Sequence, residues 1–216
     1  MSGGGYSCEH VLPIEEEPRH HLIIANDYVR AFAVEIAPRE RTLCHHHPND
    51  YFLYVPSGAE IISAARGEEP KHLNYEDGEC ELSSAGLMHI VENLGDAPFR
   101  NVVVELLSGA NKLRRGKQPQ SGNGSAHIEQ LLDEDPGAIF RVQLEPGAEA
   151  EVSGPAVLAS AHDDKLVLKE LDDFDIPLDN FRKLMWVWAP RQVAIKNSGA
   201  TPGRLIVFQV GLTLAE

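Results

Sequence analysis

Short apolar runs separated by turn-forming residues occupy most of the chain. Runs such as HLIIA, VRAFAVEI and YFLYV have the length and the β-branched and aromatic content of strands, and Gly, Pro, Asn and Asp follow them at short intervals. This rhythm is typical of a barrel or a sandwich and differs from that of alternating strands and helices. The sequence therefore predicts an all-β fold.

The order of these signals occurs twice, once on each side of a central segment. Each half has a strand that ends in a Pro-containing turn (EIAPRE, QLEPGAE), an apolar strand that runs into Asn-Leu-Gly or Asn-Ser-Gly, and a last long apolar strand. The segment between them, GANKLRRGKQPQSGNGSAH, has the Gly, Ser and Gln content of a linker. We expect an N-terminal barrel with an N-terminal arm over residues 1–108, a linker over 109–126 and a second barrel over 127–216.

Charge and composition argue against several classes of partner. The 216 residues include 33 acidic and 19 basic ones, and the formal net charge of −14 repels phosphate backbones and anionic lipid surfaces. The start of the chain lacks a basic region followed by an apolar run, and no later stretch is long enough to span a membrane. We expect a cytoplasmic protein that binds neither nucleic acid nor membranes.

The cysteines are too few and too irregular for a disulfide framework. Cys8, Cys44 and Cys80 are an odd number without CxxC spacing, which also argues against a structural zinc site. We expect all three to be reduced thiols.

Two segments place histidines on inward faces of strands. In RTLCHHHPNDYFLYVPSG, residues 41–58, His45 and His47 are two apart, so both imidazoles point to the side that Tyr51 also shares. In GECELSSAGLMHIVENLG, residues 78–95, His89 lies among apolar inward positions. Three neutral imidazoles that converge in one barrel form a site for Fe(II), Mn, Ni, Cu or Zn, with positions left for water or substrate.

The remaining histidines have no such pattern. His46 falls on the opposite face of its strand and is interpreted as a surface or interface residue. Phe52 and Tyr54 also face outward, which leaves aromatic area for a second domain or a second subunit to cover. We expect the other histidines to be solvated: His10, His20, His21, His72, His127 and His162.

The two histidine segments resemble the paired motifs of the cupin superfamily, G-x5-HxH-x3-4-E-x6-G and G-x5-PxG-x2-H-x3-N. The second motif is matched at Gly78, Gly86, His89 and Asn93, with Ser84 where Pro is usual. The first motif is matched at His45, His47 and Gly58, with Arg39 where Gly is usual and Tyr51 where the metal-binding Glu is usual. The resemblance covers residues 20–108.

This resemblance implies two tandem cupin barrels of the double-stranded β-helix, or jelly-roll, type. It also implies one divalent transition metal per chain at His45, His47 and His89 and, as in many cupins, a homodimer. The second half resembles a degenerate cupin without a metal site, because its histidine positions fall at about Ser153, Pro155 and Val193.

Two further residues are candidates for the site. The phenol of Tyr51 either ligates the metal, donates a hydrogen bond to substrate or oxygen, or fills the barrel, and the sequence leaves these three roles open. Arg30 shares parity with the apolar Phe32, Val34 and Ile36, so it either reaches the barrel mouth to bind a carboxylate or ends a strand in water.

Three-histidine sites without a carboxylate resemble those of cupin dioxygenases. The resemblance favours Fe(II), with Ni, Mn, Zn and Cu as the other candidates, and a small anionic chelating substrate such as an enolate, a thiolate or a carboxylate. The fold hosts many functions, so a second class stays open: a non-catalytic module that binds or senses a small molecule and holds a structural metal.

Overall fold

The computed structural model describes residues 5–169 and 175–213, and within these ranges it contains strands, two short 3-10 turns and loops but no α-helix. In the first half the strands are β1 (Leu12–Pro13), β2 (His20–Ala25), β3 (Val29–Ile36), β4 (His45–His47), β5 (Tyr51–Tyr54), β6 (Ala59–Ala65), β7 (Lys71–Tyr75), β8 (Cys80–Ser83), β9 (Leu87–Asn93) and β10 (Phe99–Leu106). In the second half they are β11 (Gln120–Ser121), β12 (Ala126–Glu134), β13 (Gly137–Leu144), β14 (Glu149–Ser153), β15 (Ala156–Ser160), β16 (Leu166–Lys169), β17 (Asp175–Leu178), β18 (Leu184–Val187), β19 (Gln192–Asn197) and β20 (Gly203–Val210). Among the described residues no helix is long and apolar enough to cross a membrane.

The strands form four five-stranded sheets, two from each half of the chain. The first half has the orders β1-β4-β9-β6-β7 and β2-β3-β10-β5-β8, and the second half has β11-β14-β19-β16-β17 and β12-β13-β20-β15-β18. Each strand of the first half thus has a counterpart at the same place in the second. The prediction of an all-β fold with two jelly-roll barrels of one topology is confirmed.

The chain forms two compact units. The first contains the described parts of Met1–Leu22 and Phe32–Glu105, and the second contains those of Ile23–Ala31 and Leu106–Glu216. The segment expected to be a linker has contacts of its own in the second unit, because it contributes β11 to a sheet there. Its Arg115 also pairs with the carboxylates of Asp133 and Asp135.

Alternate residues of the strands form the interior of the first unit. Phe32, Val34 and Ile36 of β3 are at most 1% exposed and pack with Tyr51 and Leu53 of β5. Full burial of such an aliphatic or aromatic side chain contributes about 1.5–3 kcal/mol. Burial of these side chains therefore stabilises the first unit.

A buried asparagine makes the same set of hydrogen bonds at corresponding strand ends of the two units. Asn93 Nδ2 donates to the carbonyl oxygens of Ile36 and Ala97 at 3.1 and 2.8 Å, and its Oδ1 accepts from the backbone N–H of Gly95 at 2.9 Å. Asn197 makes the corresponding three bonds in the second unit. The motif asparagine therefore satisfies backbone groups at the strand ends, which is a structural role.

The cysteine prediction is wrong for two of the three residues. Cys8 and Cys44 form a disulfide, with their Cα atoms 5.3 Å apart, and Cys80 is a thiol outside that disulfide. Cys8 reaches Cys44 because the N-terminal arm adds β1 in parallel beside β4, where Leu12 pairs with His45. Disulfides are rare in reducing compartments, so this bond does not support the expected cytoplasmic location.

The outward aromatic residues of β5 do not form an exposed surface. Phe52 and Tyr54 are both 0% exposed within the single chain. No second subunit is therefore needed to cover these two side chains, and their outward orientation does not support the predicted homodimer.

Candidate metal centre

The pairing of β4 with β9 brings the three predicted histidines together. His45 lies directly opposite His89 in this antiparallel pair, and His47 follows on the same face of β4. The ring centroid of His45 is 5.1 Å from that of His47 and 4.7 Å from that of His89, and the last two are 5.2 Å apart. All three side chains are buried.

A fourth histidine, which the sequence interpretation placed in solvent, belongs to the same cluster. The side chain of His20, at the start of β2, is only 5% exposed, and its ring centroid lies 4.4 Å from that of His45 and 6.0 Å from that of His47. One potential ligand atom from each of His20, His45 and His47 lies within 4.8 Å of the other two. The prediction that His20 is solvated is therefore wrong.

Two of the predicted ligands have their Nδ1 atoms beside polar groups. Nδ1 of His45 donates to the carbonyl oxygen of Leu43 at 2.9 Å, and Nδ1 of His89 lies 3.1 Å from Oγ of Ser63. Because a carbonyl oxygen only accepts, Nε2 of a neutral His45 carries no proton. That Nε2 atom is buried and has no hydrogen-bond partner among the described residues. A buried bare imidazole nitrogen among other imidazoles fits a divalent transition metal.

His20 is held by a buried carboxylate. Oε2 of Glu17 accepts from Nδ1 of His20 at 2.8 Å and from the backbone N–H of Arg19 at 2.7 Å, and Oε1 accepts from the backbone N–H of Leu43 at 3.1 Å. Burial alone would raise the pKa of Glu17, but the hydrogen bond and charge of His20 and the two backbone donors lower it to about 2. Glu17 is thus ionised at neutral pH.

The environment keeps the imidazoles of the three predicted ligands neutral. Burial, reinforced by the nearby His20, lowers the pKa of His45 to about 4. Burial and the neighbouring histidines hold the pKa values of His47 and His89 well below the usual 6.5. Neutral rings have a free lone pair, which a metal ligand requires.

A cavity of about 130 Å³ adjoins the histidines in the first unit. His20, His47 and His89 line one part of it, and most of the remaining wall is aliphatic or aromatic. Its other polar lining residues are Tyr51, Ser63, Tyr75, Glu81, Ser83 and Asn101. No Lys or Arg is among the described residues that line it.

Tyr51 faces both the histidines and this cavity. Its ring stacks on that of His47, with centroids 4.3 Å apart and planes inclined by 26°. Burial, with smaller contributions from Glu81 and Glu105, raises the pKa of Tyr51 to about 12. The phenol is therefore protonated at neutral pH and can donate a hydrogen bond.

The structure does not bring Arg30 to this site. Arg30 is half-buried in β3 and is not among the residues that line the cavity. His46 is also half-buried and lies between the cluster residues His45 and His47 on the other face of β4, where it pairs with Pro13 and Met88 of the neighbouring strands.

In the second unit valines occupy the positions of two cluster histidines. Val193 stands four residues before Asn197, as His89 stands before Asn93, and it pairs with Val152, as His89 pairs with His45. The sequence interpretation placed the counterparts of His45 and His47 at Ser153 and Pro155, which is one residue too far. The error arises because the second unit has one residue fewer between its Pro-containing turn and Val152 than the first unit has between its turn and His45. A shift of one residue along a strand moves every side chain to the opposite face.

Val152 and Val193 lie in a core of hydrophobic side chains. Neither valine can ligate a metal.

Comparisons with known proteins identify the fold. No protein-family model matches the chain, and no curated protein matches it. Among solved structures, the vicilin from Solanum melongena superposes with a TM-score of 0.63 at 10% identity, covering 89% of this chain and 83% of that one. Salicylate 1,2-dioxygenase from Pseudaminobacter salicylatoxidans gives 0.58 at 13% identity, covering 89% and 76%. A cupin 2 conserved barrel domain protein from Leptotrichia buccalis gives 0.52 at 10% identity, covering 88% of each.

The repeated sheet order and these likenesses define the class of the protein. The chain has the two-domain cupin fold, with a cluster of buried histidines in its first barrel.

Proposed function

We propose that the first barrel is a metal-dependent, dioxygenase-like oxidoreductase that acts on a small anionic organic molecule, with His45, His47 and His89 as metal ligands and Fe(II) as the favoured ion. One observation carries the proposal: the neutral buried imidazoles of His47 and His89 line a cavity of small-molecule size, and the ring of His45, with its bare Nε2 atom, lies 5.1 and 4.7 Å from theirs. Imidazole suits most late first-row metals, so Ni, Mn, Zn and Cu are the alternatives.

Bound there, the ion would act as a Lewis acid and, as Fe(II), would supply the redox chemistry that O₂ requires. The ligands are neutral and leave its positive charge uncompensated. Because no Lys or Arg is among the described lining residues of the cavity, the ion is the main attraction for an anionic group. We expect a substrate with its anionic end at the histidines and without a second anionic group at the far end.

The chain's own residues orient such a molecule. A cavity of about 130 Å³ is close in size to the roughly 150 Å³ cavity that holds benzene in another protein, so a single ring suits it. Its apolar walls bind the ring, and the side chain of Asn101, which is 5% exposed, offers an amide to a polar substituent. Tyr51, kept protonated by burial, would donate a hydrogen bond rather than ligate the metal.

The structural neighbours suggest which probes to use first. Structures of the salicylate 1,2-dioxygenase include adducts with gentisate, and the vicilin holds anionic ligands in its pockets. Gentisate and salicylate are single-ring carboxylates of suitable size, and we propose them as starting compounds.

The test combines metal analysis with an oxygen-uptake assay. Protein purified without added metal is analysed for bound ions, reconstituted anaerobically with Fe(II), and screened for uptake with gentisate, salicylate and other small acids and thiols. We expect substrate-dependent uptake that His47→Ala abolishes and that His46→Ala retains. Absence of bound metal under all loading conditions would refute the proposal.

A non-catalytic binding protein is the second candidate. The presence of a fourth imidazole, His20, favours it, because each added protein ligand leaves fewer positions for substrate and O₂. Metal-dependent ligand binding without oxygen uptake would support this reading. The proposed homodimer is tested separately, by the molar mass of the full chain in solution.

A further inference from the structure

His20 lies outside both histidine segments, yet it is one of the most closely placed members of the cluster. We propose that His20 is a fourth protein ligand of the metal and that Glu17 is its positioning residue. This inference rests on the metal site of the function proposed above, holds for a catalytic or a binding role of that site, and names a ligand that the paired motifs do not contain.

The distances around His20 suit a shared ion. Donor nitrogens that bind one ion at about 2.0–2.1 Å lie at most about 4.2 Å apart. The candidate atoms of His20, His45 and His47 lie within 4.8 Å of one another before any ion draws them together. His20 also lines the cavity beside His47 and His89, so its ring faces the same space as theirs.

Glu17 selects the form of His20 that a metal needs. Its carboxylate accepts a hydrogen bond from Nδ1 of His20 at 2.8 Å, so Nε2 is the ring nitrogen left to bind a metal, which displaces any proton from it. A carboxylate that holds the far nitrogen of a ligating histidine fixes the orientation of the ring and increases its basicity. Glu17 is 1% exposed, so it cannot rotate away into water.

The backbone of one residue, Leu43, contacts both Glu17 and His45. The N–H of Leu43 donates to Oε1 of Glu17 at 3.1 Å, while its carbonyl oxygen accepts from Nδ1 of His45 at 2.9 Å. The rings of His20 and His45 are therefore positioned through the same peptide segment. Their centroids are the closest of the histidine pairs, at 4.4 Å.

Tyr51 is the competing fourth ligand, because it stands where the cupin motif has its glutamate. Its ring stacks on His47 at 4.3 Å, and a protonated phenol is a poor ligand. His20 offers an imidazole instead and would replace the missing carboxylate with a fourth neutral ligand.

The first measurement counts the imidazoles. The full chain is loaded with Co(II) or Cu(II), and the nitrogen ligands are counted by X-ray absorption and by electron paramagnetic resonance. We expect four imidazoles in the wild type and three in His20→Ala. Three imidazoles in the wild type would overturn the inference while leaving the proposed function intact, whereas a metal that His47→Ala does not displace would refute the proposed function itself.

The second measurement separates the ligand from its positioning residue. In competition with a chelator we expect the metal affinity to fall by about 10- to 100-fold in Glu17→Gln, as for other residues that orient ligands, with the imidazole count unchanged. His10→Ala and Glu16→Gln alter exposed residues of the same arm and should change the affinity by less than about twofold. If His20→Ala does not fold, the wild-type count decides alone. Wild-type affinity in both His20→Ala and Glu17→Gln would overturn the inference.

Discussion

At the scale of single residues, the orientation of three rings in the histidine cluster depends on the group beside the Nδ1 atom. The Nδ1 atom of His45 lies beside Leu43, that of His20 lies beside Glu17, and that of His89 lies beside Ser63. His47 differs, because its Nδ1 atom is buried without a partner among the described residues. Its orientation depends instead on packing against Tyr51 and on the strand itself.

His47→Ala and His46→Ala should differ sharply in metal binding. Loss of His47 should lower the affinity by more than about 100-fold, since removing a ligand costs more than disturbing its support, while the fold persists because the packed barrel does not depend on its ion. His46 lies on the other face of β4, so His46→Ala should retain the metal. Chelator competition and circular dichroism measure both effects. The reverse result would mean that the register of β4 is off by one residue.

At the scale of the elements, the N-terminal arm and the segment after the first barrel are held by different kinds of bond. The Cys8–Cys44 disulfide and the β1–β4 pairing hold the arm. Arg115 holds the later segment, since it pairs with Asp133 and Asp135 and donates to the carbonyl oxygen of Gly211. The first restraint responds to redox conditions and the second to pH.

Removal of the disulfide should destabilise the first unit. Cys8 and Cys44 are 36 residues apart. Closing a loop of that length removes conformational entropy from the unfolded chain and raises its free energy by about 3 to 4 kcal/mol. Urea unfolding of Cys8→Ser/Cys44→Ser should show a loss of this order. Cys80→Ser, which changes the cysteine outside the disulfide, is the control. Equal stability of all three proteins would show that the disulfide does not form in solution.

The Arg115 pairs should stabilise the second unit in a pH-dependent manner. Hydrogen bonds from Arg115 lower the pKa of Asp133, and those from Thr213, together with Arg115, lower that of Asp135. A carboxyl with a lowered folded-state pKa stabilises the fold above its unfolded pKa, and this contribution disappears as the pH falls through the folded pKa.

Arg115→Met should therefore lower the melting temperature by about 2–4 °C at pH 7, an effect of the size expected for exposed ion pairs. The difference should shrink as the pH falls toward about 3. Arg114→Met, at the exposed neighbouring position, should change little at either pH. A difference that grows on acidification would contradict the assigned role.

At the scale of the whole molecule, one fold carries two different interiors. The first barrel has buried histidines and a cavity, and the second places Val152 and Val193 where His45 and His89 stand in the first. Because valine offers no ligand atom, the described part of the second barrel lacks counterparts of His45 and His89.

We predict one metal per chain. Metal content per chain after extensive dialysis should approach one equivalent for the wild type and zero for His47→Ala, as measured by elemental analysis. Two equivalents that survive dialysis would show that the second barrel has a site of its own.

The sequence by itself determined the strands, the duplication and the shared face of His45 and His47, because these depend on a period of two along one strand and on local turn residues. Only the tertiary structure decided that His20 joins the cluster, that Cys8 meets Cys44 and that Val152 rather than Ser153 opposes Val193. Each of these depends on which strands pair and in which register, and a one-residue difference in a turn exchanges the faces of a strand. Contacts between distant segments leave no periodic trace in the sequence, so the arm's contribution to the site became visible only in three dimensions.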